Sequence, residues 1–165
     1  MKIYLMRHGI AREPNGPSLK ADNQRPLTPK GREKIGKIAH ALKMLGIKPD
    51  LILSSPYARA KETATLLAQE FDCKKNLKFS DLLVPEGNAE EIISAIVENY
   101  KAEELLIVGH EPCLSLLVSA LAVFSLDLSI HIKKGGVCCL SADALRIERR
   151  ATLEWLFTPK ILLKV

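Results

Sequence analysis

Short apolar runs alternate with longer amphipathic segments along this chain. The runs at Ile3–Met6, Leu51–Leu53 and Leu105–Val108 are too short for typical helices, and each predicts a strand that is buried on both faces. After each run, apolar residues recur at the spacing of one helical face. Strands that alternate with helices in this way predict a mostly parallel sheet with helices packed against it.

Capping residues predict where the helices begin. A loop from Ile10 to Pro26 precedes the first helix, for which Thr28 is a good N-cap and Pro29 suits the first helical position. Ser54–Pro56 ends the second strand, and its serines are expected to cap the second helix. Asn88 begins a third helix with a capping box, and Pro112 opens a fourth.

The last third of the chain predicts strands without further helices between them. These strands are Ser129–Ile132, Gly136–Leu140 and Leu153–Phe157, and Leu77–Phe79 is an earlier, shorter candidate. Because no crossover helix separates the last three, they are expected to complete or edge the sheet, and antiparallel pairing is open to them. A chain of 165 residues fits a single domain that spans residues 1–165.

Composition narrows the class of protein. Hydrophobic residues make up 47% of the chain, yet no apolar run approaches the length of a membrane span and no signal-peptide pattern opens the sequence, so we expect a cytoplasmic protein without a membrane partner. The four cysteines lack the spacing of a disulfide framework or a zinc site, so no metal is expected. The net charge of +5 suits an anionic partner, either nucleic acid or a phosphorylated substrate. Nucleic acid is the less favoured of the two, because the basic run on the first helix has no interleaved aromatic residues and is typical of a solvated face.

Arginine and histidine residues follow three of the predicted strands. Arg7 and His8 end the first strand, Arg59 lies in the first turn of the second helix, and His110 follows the Leu105–Val108 strand. Ligands of open parallel sheets bind at the carboxyl ends of the strands, so these side chains are expected to converge. Arginine forks fit phosphate, and a neutral imidazole is a nucleophile near pH 7. The alternative for Arg59 is a surface ion pair with Glu62.

Other phosphoryl-transfer chemistries lack their motifs in this chain. The sequence has no GxxxxGK[ST] loop for nucleotides, no GxGxxG, no GxSxG and no cysteine followed six residues later by arginine. It also has no paired-aspartate motif that suggests a two-metal phosphatase. Histidine remains as the nucleophile, which would accept the phosphoryl group and then release it to water.

Three motifs resemble those of the histidine phosphatase superfamily, also called phosphoglycerate-mutase-like. Arg7–Gly9 looks like its signature, Ser54–Ala64 like its second arginine motif and Gly109–Pro112 like its second histidine motif. The short length, together with Arg25–Thr28 and Trp155–Pro159, most resembles the SixA-type phosphohistidine phosphatases. The resemblance implies a three-layer α/β/α sandwich with a mostly parallel central sheet.

The resemblance also implies roles for five residues. His8 would be the nucleophile that forms a phosphohistidine, and Arg7, Arg59 and His110 would contact the phosphoryl group. Arg25 would assist from its loop. No metal or other cofactor is implied. The expected partner is a phosphorylated substrate, with a histidine-phosphorylated protein domain as the first candidate.

The proton donor and the substrate stay open at this point. Larger members of the family carry a helical insertion between the second arginine and the second histidine, but here about 50 residues separate them, enough for one strand and one helix. Glu86 is a candidate proton donor; its alternative is an ordinary loop carboxylate. Glu111 could cap the following helix or serve catalysis. The alternative functions are a small-molecule phosphomonoesterase with the same pocket and a basic anion- or nucleic-acid-binding module without turnover.

Overall fold

The computed structural model describes residues 1–14, 22–123, 128–143 and 151–165. The predicted loop from Ile10 to Pro26 therefore lies partly outside the described residues. The strands are β1 Lys2–Arg7, β2 Leu51–Ser54, β3 Leu77–Phe79, β4 Glu104–Gly109, β5 Val137–Ser141 and β6 Thr152–Phe157. The helices are α1 Pro29–Met44, α2 Ala58–Glu70, α3 Ala89–Asn99, α4 Cys113–Val123 and α5 Pro159–Leu162, with short 3₁₀ turns at Lys74–Asn76 and Asp81–Leu83.

The strands form one sheet in the order β3-β2-β4-β1-β5-β6. Strands β1 to β4 are parallel to one another, whereas β5 pairs antiparallel with both β1 and β6. The sheet is therefore mostly parallel, as predicted, and its last two strands form an antiparallel edge, a pairing that the sequence left open. Since β4 inserts between β2 and β1, the carboxyl ends of these three strands lie side by side.

Two apolar clusters pack on opposite faces of the sheet. Along β1, Ile3 and Leu5 belong to one cluster, and Tyr4 and Met6 belong to the other, because successive side chains of a strand point to opposite faces. Helices α3 and α4 cover the first face, and α1, α2 and α5 cover the second. The predicted three-layer α/β/α sandwich is thus confirmed. Within the described part of the chain, no helix is both long and apolar enough to cross a bilayer.

Two of the predicted helix caps are confirmed and one is wrong. Thr28 caps α1 by accepting a hydrogen bond from the Gly31 amide at 2.9 Å, and Asn88 caps α3. The serines of Ser54–Pro56 do not cap α2, whose N-cap residue is Tyr57 and carries no side-chain cap bond. The Ser55 hydroxyl accepts a hydrogen bond from the amide of Tyr57 itself at 3.3 Å and also contacts His110, as described below.

The predicted strand at Ser129–Ile132 is also wrong, since residues 128–132 form no strand. Its alternating burial is real, with Ile132 buried and His131 exposed. However, the Ile132 amide donates to the Glu111 carboxylate at 2.9 Å, and its carbonyl accepts from the Arg7 guanidinium at 3.1 Å. Side chains therefore occupy the backbone groups that a strand partner would need.

Candidate active site

Backbone hydrogen bonds join three strand ends into one edge. The His8 amide donates to the Gly109 carbonyl at 3.1 Å, which ties the end of β1 to the end of β4. The Ser55 amide donates to the Val108 carbonyl at 3.0 Å, which ties β2 to β4. The residues that follow these strands are consequently delivered to one place, as ligand sites of open parallel sheets require.

His8 has a defined tautomer. The residue is 5% exposed, and Nδ1 lies 2.7 Å from the Gly9 carbonyl oxygen. A carbonyl can only accept, so Nδ1 carries the proton and Nε2 keeps a lone pair. That lone pair accepts a hydrogen bond from Nε of Arg59 at 3.2 Å. His8 therefore presents an unprotonated Nε2, the form of imidazole that can act as a nucleophile.

The surroundings of His8 keep it neutral. Burial is the largest influence on its pKa, and the hydrogen bond to Gly9 opposes it. Together with the positive charges of Arg59, Arg7 and Lys134, burial lowers the pKa of His8 to about 3. At neutral pH the ring is thus already neutral and can attack an electrophile without first losing a proton.

His110 lies beside His8 as a second neutral imidazole. The two ring centroids are 5.0 Å apart, and the Tyr57 ring is 5.2 Å from His110 on another side. The Ser55 hydroxyl lies 2.8 Å from Nε2 of His110. Burial, followed by the interaction with His8, lowers the pKa of His110 to about 2. The structure therefore places two uncharged imidazoles side by side among arginines.

Two buried nitrogen atoms in this cluster lack a partner among the described residues. They are Nε of Arg7 and Nδ1 of His110. Leaving a buried polar group unpaired costs about 1–3 kcal/mol, so a ligand that offered oxygen acceptors here would recover part of that cost. An Arg Nε always carries a hydrogen, which makes an anion a suitable ligand.

Arg7 is positioned by a short chain of contacts through Glu111. Nη1 of Arg7 donates to the Ile132 carbonyl, and the Ile132 amide donates to Oε1 of Glu111. Oε2 of Glu111 accepts a hydrogen bond from the Ser115 hydroxyl in the first turn of α4. Glu111 thus joins the Ser115 side chain to the segment that holds Arg7.

Arg59 pairs with an aspartate rather than with Glu62. Its Nη2 lies 3.0 Å from Oδ2 of Asp22, and its Nη1 donates to the Asp22 backbone carbonyl at 2.7 Å. Glu62 instead pairs with Arg32 at 2.8 Å and accepts from the Leu27 amide. The surface pair of Arg59 with Glu62 is therefore wrong, and the arginine side chain is nearly buried at the sheet edge.

Gly9 lets the first helix approach this edge. A Cβ atom at this position would lie 2.7 Å from Cγ1 of Ile35 on α1, closer than van der Waals contact allows. The Gly9 amide donates to the Thr63 hydroxyl at 3.1 Å, and that hydroxyl donates to the Arg59 carbonyl at 2.7 Å. The residue after the candidate nucleophile is thus tied to the helix that carries Arg59.

The structure places the two remaining predicted residues at the margin of the site. Arg25 is connected to Arg59 through Asp22, whose Oδ1 accepts from Nη1 of Arg25 at 2.8 Å. Glu86 is an exposed loop residue before α3. Burial, and then the charge of Glu86, raise the pKa of Tyr57, so this carboxylate lies within electrostatic reach of the tyrosine that packs on His110.

Sequence reasoning missed three residues of the site. Asp22 stands three positions before Arg25 in the chain, where an ion pair is possible, but the loop pattern gives no reason to select it. For Ser55, the sequence pattern indicates a helix cap rather than a contact with a histidine. Lys134 precedes Gly135, whose amide donates to the carbonyls of both Arg7 and His8, and no local sequence pattern indicates this long-range contact. Within the described ranges, no group of three or more His, Cys, Asp or Glu side chains could hold a metal ion.

Comparison with known proteins identifies the family. The family model of the histidine phosphatase superfamily (branch 1) matches residues 3–83. The phosphohistidine phosphatase SixA of Escherichia coli (strain K12) is 30% identical over 128 residues, which span 73% of this chain and 74% of that protein.

Solved structures show the same fold. The structure of the protein histidine phosphatase SixA complexed with tungstate superposes with a TM-score of 0.85 at 22% identity, covering 98% of this chain and 99% of the other. The crystal structure of a putative α-ribazole-5′-P phosphatase from Escherichia coli str. K-12 substr. MG1655 has a TM-score of 0.75 at 20% identity, covering 96% and 98%. The chain belongs to the histidine phosphatase superfamily and is a SixA-like hydrolase.

Proposed function

We propose that this protein is a phosphohistidine phosphatase that works through a covalent intermediate on His8. The observation that carries this proposal is the unprotonated Nε2 of His8, fixed by the Nδ1 contact to Gly9 at 2.7 Å and lying 3.2 Å from Nε of Arg59. A nucleophilic nitrogen beside a guanidinium is suited to attack a phosphoryl group, whose negative charge the arginine offsets.

The reaction has two steps. The Nε2 lone pair of His8 forms a bond to phosphorus while the bond from phosphorus to the leaving group breaks, and the leaving group takes up a proton. Water then attacks the phosphorus atom, the bond from Nε2 to phosphorus breaks, a proton from the water returns to solution, and inorganic phosphate leaves. His8 regains its lone pair, so no redox partner is needed.

Arg7, Arg59 and His110 would hold the transferred group. Hydrogen bonds to charged groups contribute about 1.5–3 kcal/mol each, and they stabilise the transition state when they are aimed at the equatorial oxygens. Nε of Arg7 and Nδ1 of His110 are buried and without a partner among the described residues, which supports their assignment as ligands of these oxygens.

Phosphohistidine is the substrate that the architecture supports best. The chain between Arg59 and His110 forms the rest of α2, β3, α3, β4 and short turns, without an inserted helical subdomain to cover the pocket. An open pocket suits a phosphorylated side chain on a protein surface, and imidazole is a leaving group that departs readily. The name of the Escherichia coli relative supports the same substrate class. We place the reaction in the cytoplasm, a location supported by the unpaired cysteines of the chain.

A small phosphomonoester is the second candidate substrate. An alkoxide leaving group needs a proton, and Glu86 lies exposed near Tyr57 at the margin of the pocket, from where it could supply one. In this alternative the nucleophile and the arginines keep their roles.

The test is phosphate release by purified wild-type protein and by the His8→Ala variant. The substrates are a phosphohistidine peptide and a panel of phosphomonoesters. We expect release from the peptide that disappears in His8→Ala, while His40→Ala, which changes an exposed histidine on α1, keeps the wild-type rate. Release confined to a monoester would replace the substrate and keep the mechanism. Activity that survives in His8→Ala would contradict the covalent intermediate, and no release from any substrate would favour a binding role.

A further inference from the structure

The carboxylate of Asp22 binds two of the arginines that were predicted to bind phosphate, Arg59 and Arg25. Oδ2 of Asp22 lies 3.0 Å from Nη2 of Arg59, and Oδ1 lies 2.8 Å from Nη1 of Arg25. The backbone carbonyl of Asp22 accepts a further bond from Nη1 of Arg59 at 2.7 Å. Both carboxylate oxygens are therefore bound, each by a different arginine.

The same contacts hold Arg59 over the nucleophile. While Nη1 and Nη2 bind Asp22, Nε donates to the lone pair of His8 at 3.2 Å. A phosphoryl group that reaches Nε2 of His8 must replace this hydrogen bond. If the phosphoryl oxygens are also to bind Nη1 and Nη2 of Arg59, they must compete with Asp22, which already binds both nitrogens.

The Asp22 carboxylate is ionised, and its position allows another anion to replace it at Arg59. Burial acts to raise the pKa of Asp22, but hydrogen bonds and charges from Arg25 and Arg59 hold it below its ordinary value. Its side chain is 33% exposed, compared with 6% for Arg59, so the carboxylate borders water while the guanidinium does not. Exchange of one anion for another can thus occur without moving the buried arginine far.

We propose that Asp22 is an internal competing anion that determines which ligands this site accepts. A monovalent carboxylate gains little by replacing another one, whereas a phosphoryl dianion brings more charge and more acceptor oxygens to the same donors. The competition also weakens the binding of the product, inorganic phosphate. The inference rests on the proposed function only in so far as the same pocket binds the phosphoryl group.

The experiment measures the affinity for inorganic phosphate directly by calorimetry near pH 8, without turnover. We expect Asp22→Asn and Asp22→Ser to bind phosphate about tenfold more tightly than the wild type, the change that follows if about a tenth of the resting protein has Arg59 free of Asp22. Glu33→Gln is the control, because it removes the same charge from an exposed pair with Lys37 on α1 and should leave the affinity unchanged.

The opposite sign would overturn the inference. If Asp22 only supports the orientation of Arg59, both variants will bind phosphate more weakly than the wild type. Unchanged affinity, or an equal gain in Glu33→Gln, would also overturn it, as would absence of phosphate binding in all four proteins. Thermal unfolding verifies that each variant is folded before titration. Because this measurement needs no activity, its failure is distinct from a failure of the His8→Ala test.

Discussion

At the scale of single residues, the site depends on which nitrogen of each histidine is engaged. The Gly9 carbonyl directs the proton of His8 to Nδ1, and the Ser55 hydroxyl meets Nε2 of His110. Both histidines, and both arginines, could be selected from the sequence because each follows a predicted strand. Ser55 could not, because a serine after a strand and before a helix is equally typical of an N-cap.

Removing the Ser55 hydroxyl should therefore affect His110. We expect Ser55→Ala to lower kcat about tenfold and the free energy of unfolding by about 1 kcal/mol, because His110 loses the partner that orients its ring. Steady-state kinetics and urea unfolding measure the two effects. Ser54→Ala is the matched control, since the Ser54 hydroxyl is also buried but bonds to a backbone carbonyl. Equal losses of kcat in both variants would contradict a specific role for Ser55.

At the scale of elements, the approach of α1 to the end of β1 decides whether His8 lies deep in the protein. The helix itself was predictable from apolar spacing and from its Thr28 cap. Its distance from Gly9 was not, because that distance depends on how Ile35 packs, and Ile35 is 1% exposed in the core.

Two glycines near the contact between Gly9 and Ile35 provide a test: Gly9 itself and Gly36, which follows Ile35 on α1. Gly9→Ala should lower the free energy of unfolding by about 1–3 kcal/mol, since the new Cβ would lie 2.7 Å from the Ile35 side chain in a packed core. Gly36→Ala should leave stability unchanged or raise it by up to about 1 kcal/mol, because nothing lies within 4 Å and alanine favours the helix. Chemical denaturation of both variants measures the difference, and similar stabilities would show that the packing at Gly9 is not limiting.

At the scale of the whole molecule, two buried neutral histidines couple folding to pH. The folded pKa values of His8 and His110, about 3 and about 2, lie below the ordinary value of 6.5. Below pH 6.5 the unfolded chain binds protons that the folded one does not. Stability contributed by this pair is thus present above that pH and is lost as the pH falls toward the folded values.

The double variant His8→Gln/His110→Gln should accordingly be less sensitive to acid. Each histidine accounts for at most about 1.4 kcal/mol per pH unit, so between pH 6.5 and 5 the wild type should lose up to about 2 kcal/mol more per histidine than the variant. Urea unfolding at several pH values gives both slopes. The carboxylates titrate in both proteins, so identical slopes would mean that the histidines are not held neutral by the fold.

The sequence by itself determined the layers of this protein and the residues at its strand ends. Apolar periodicity reports local burial, and capping residues report local backbone geometry, so β1, β4, α1 and α3 were all predictable. The same local signal misled at residues 128–132, where burial alternates but the backbone bonds to Glu111 and Arg7 rather than to a strand.

Only the tertiary structure decided the partners of the charged and polar side chains. Arg59 binds Asp22, 37 positions away, and Ser55 meets His110, 55 positions away. Such contacts depend on β4 lying between β1 and β2, which brings distant parts of the chain to one edge of the sheet. Hydrogen bonds and ion pairs act over a few ångströms in space, and no periodicity along the chain encodes which distant residues the folded sheet brings within that range.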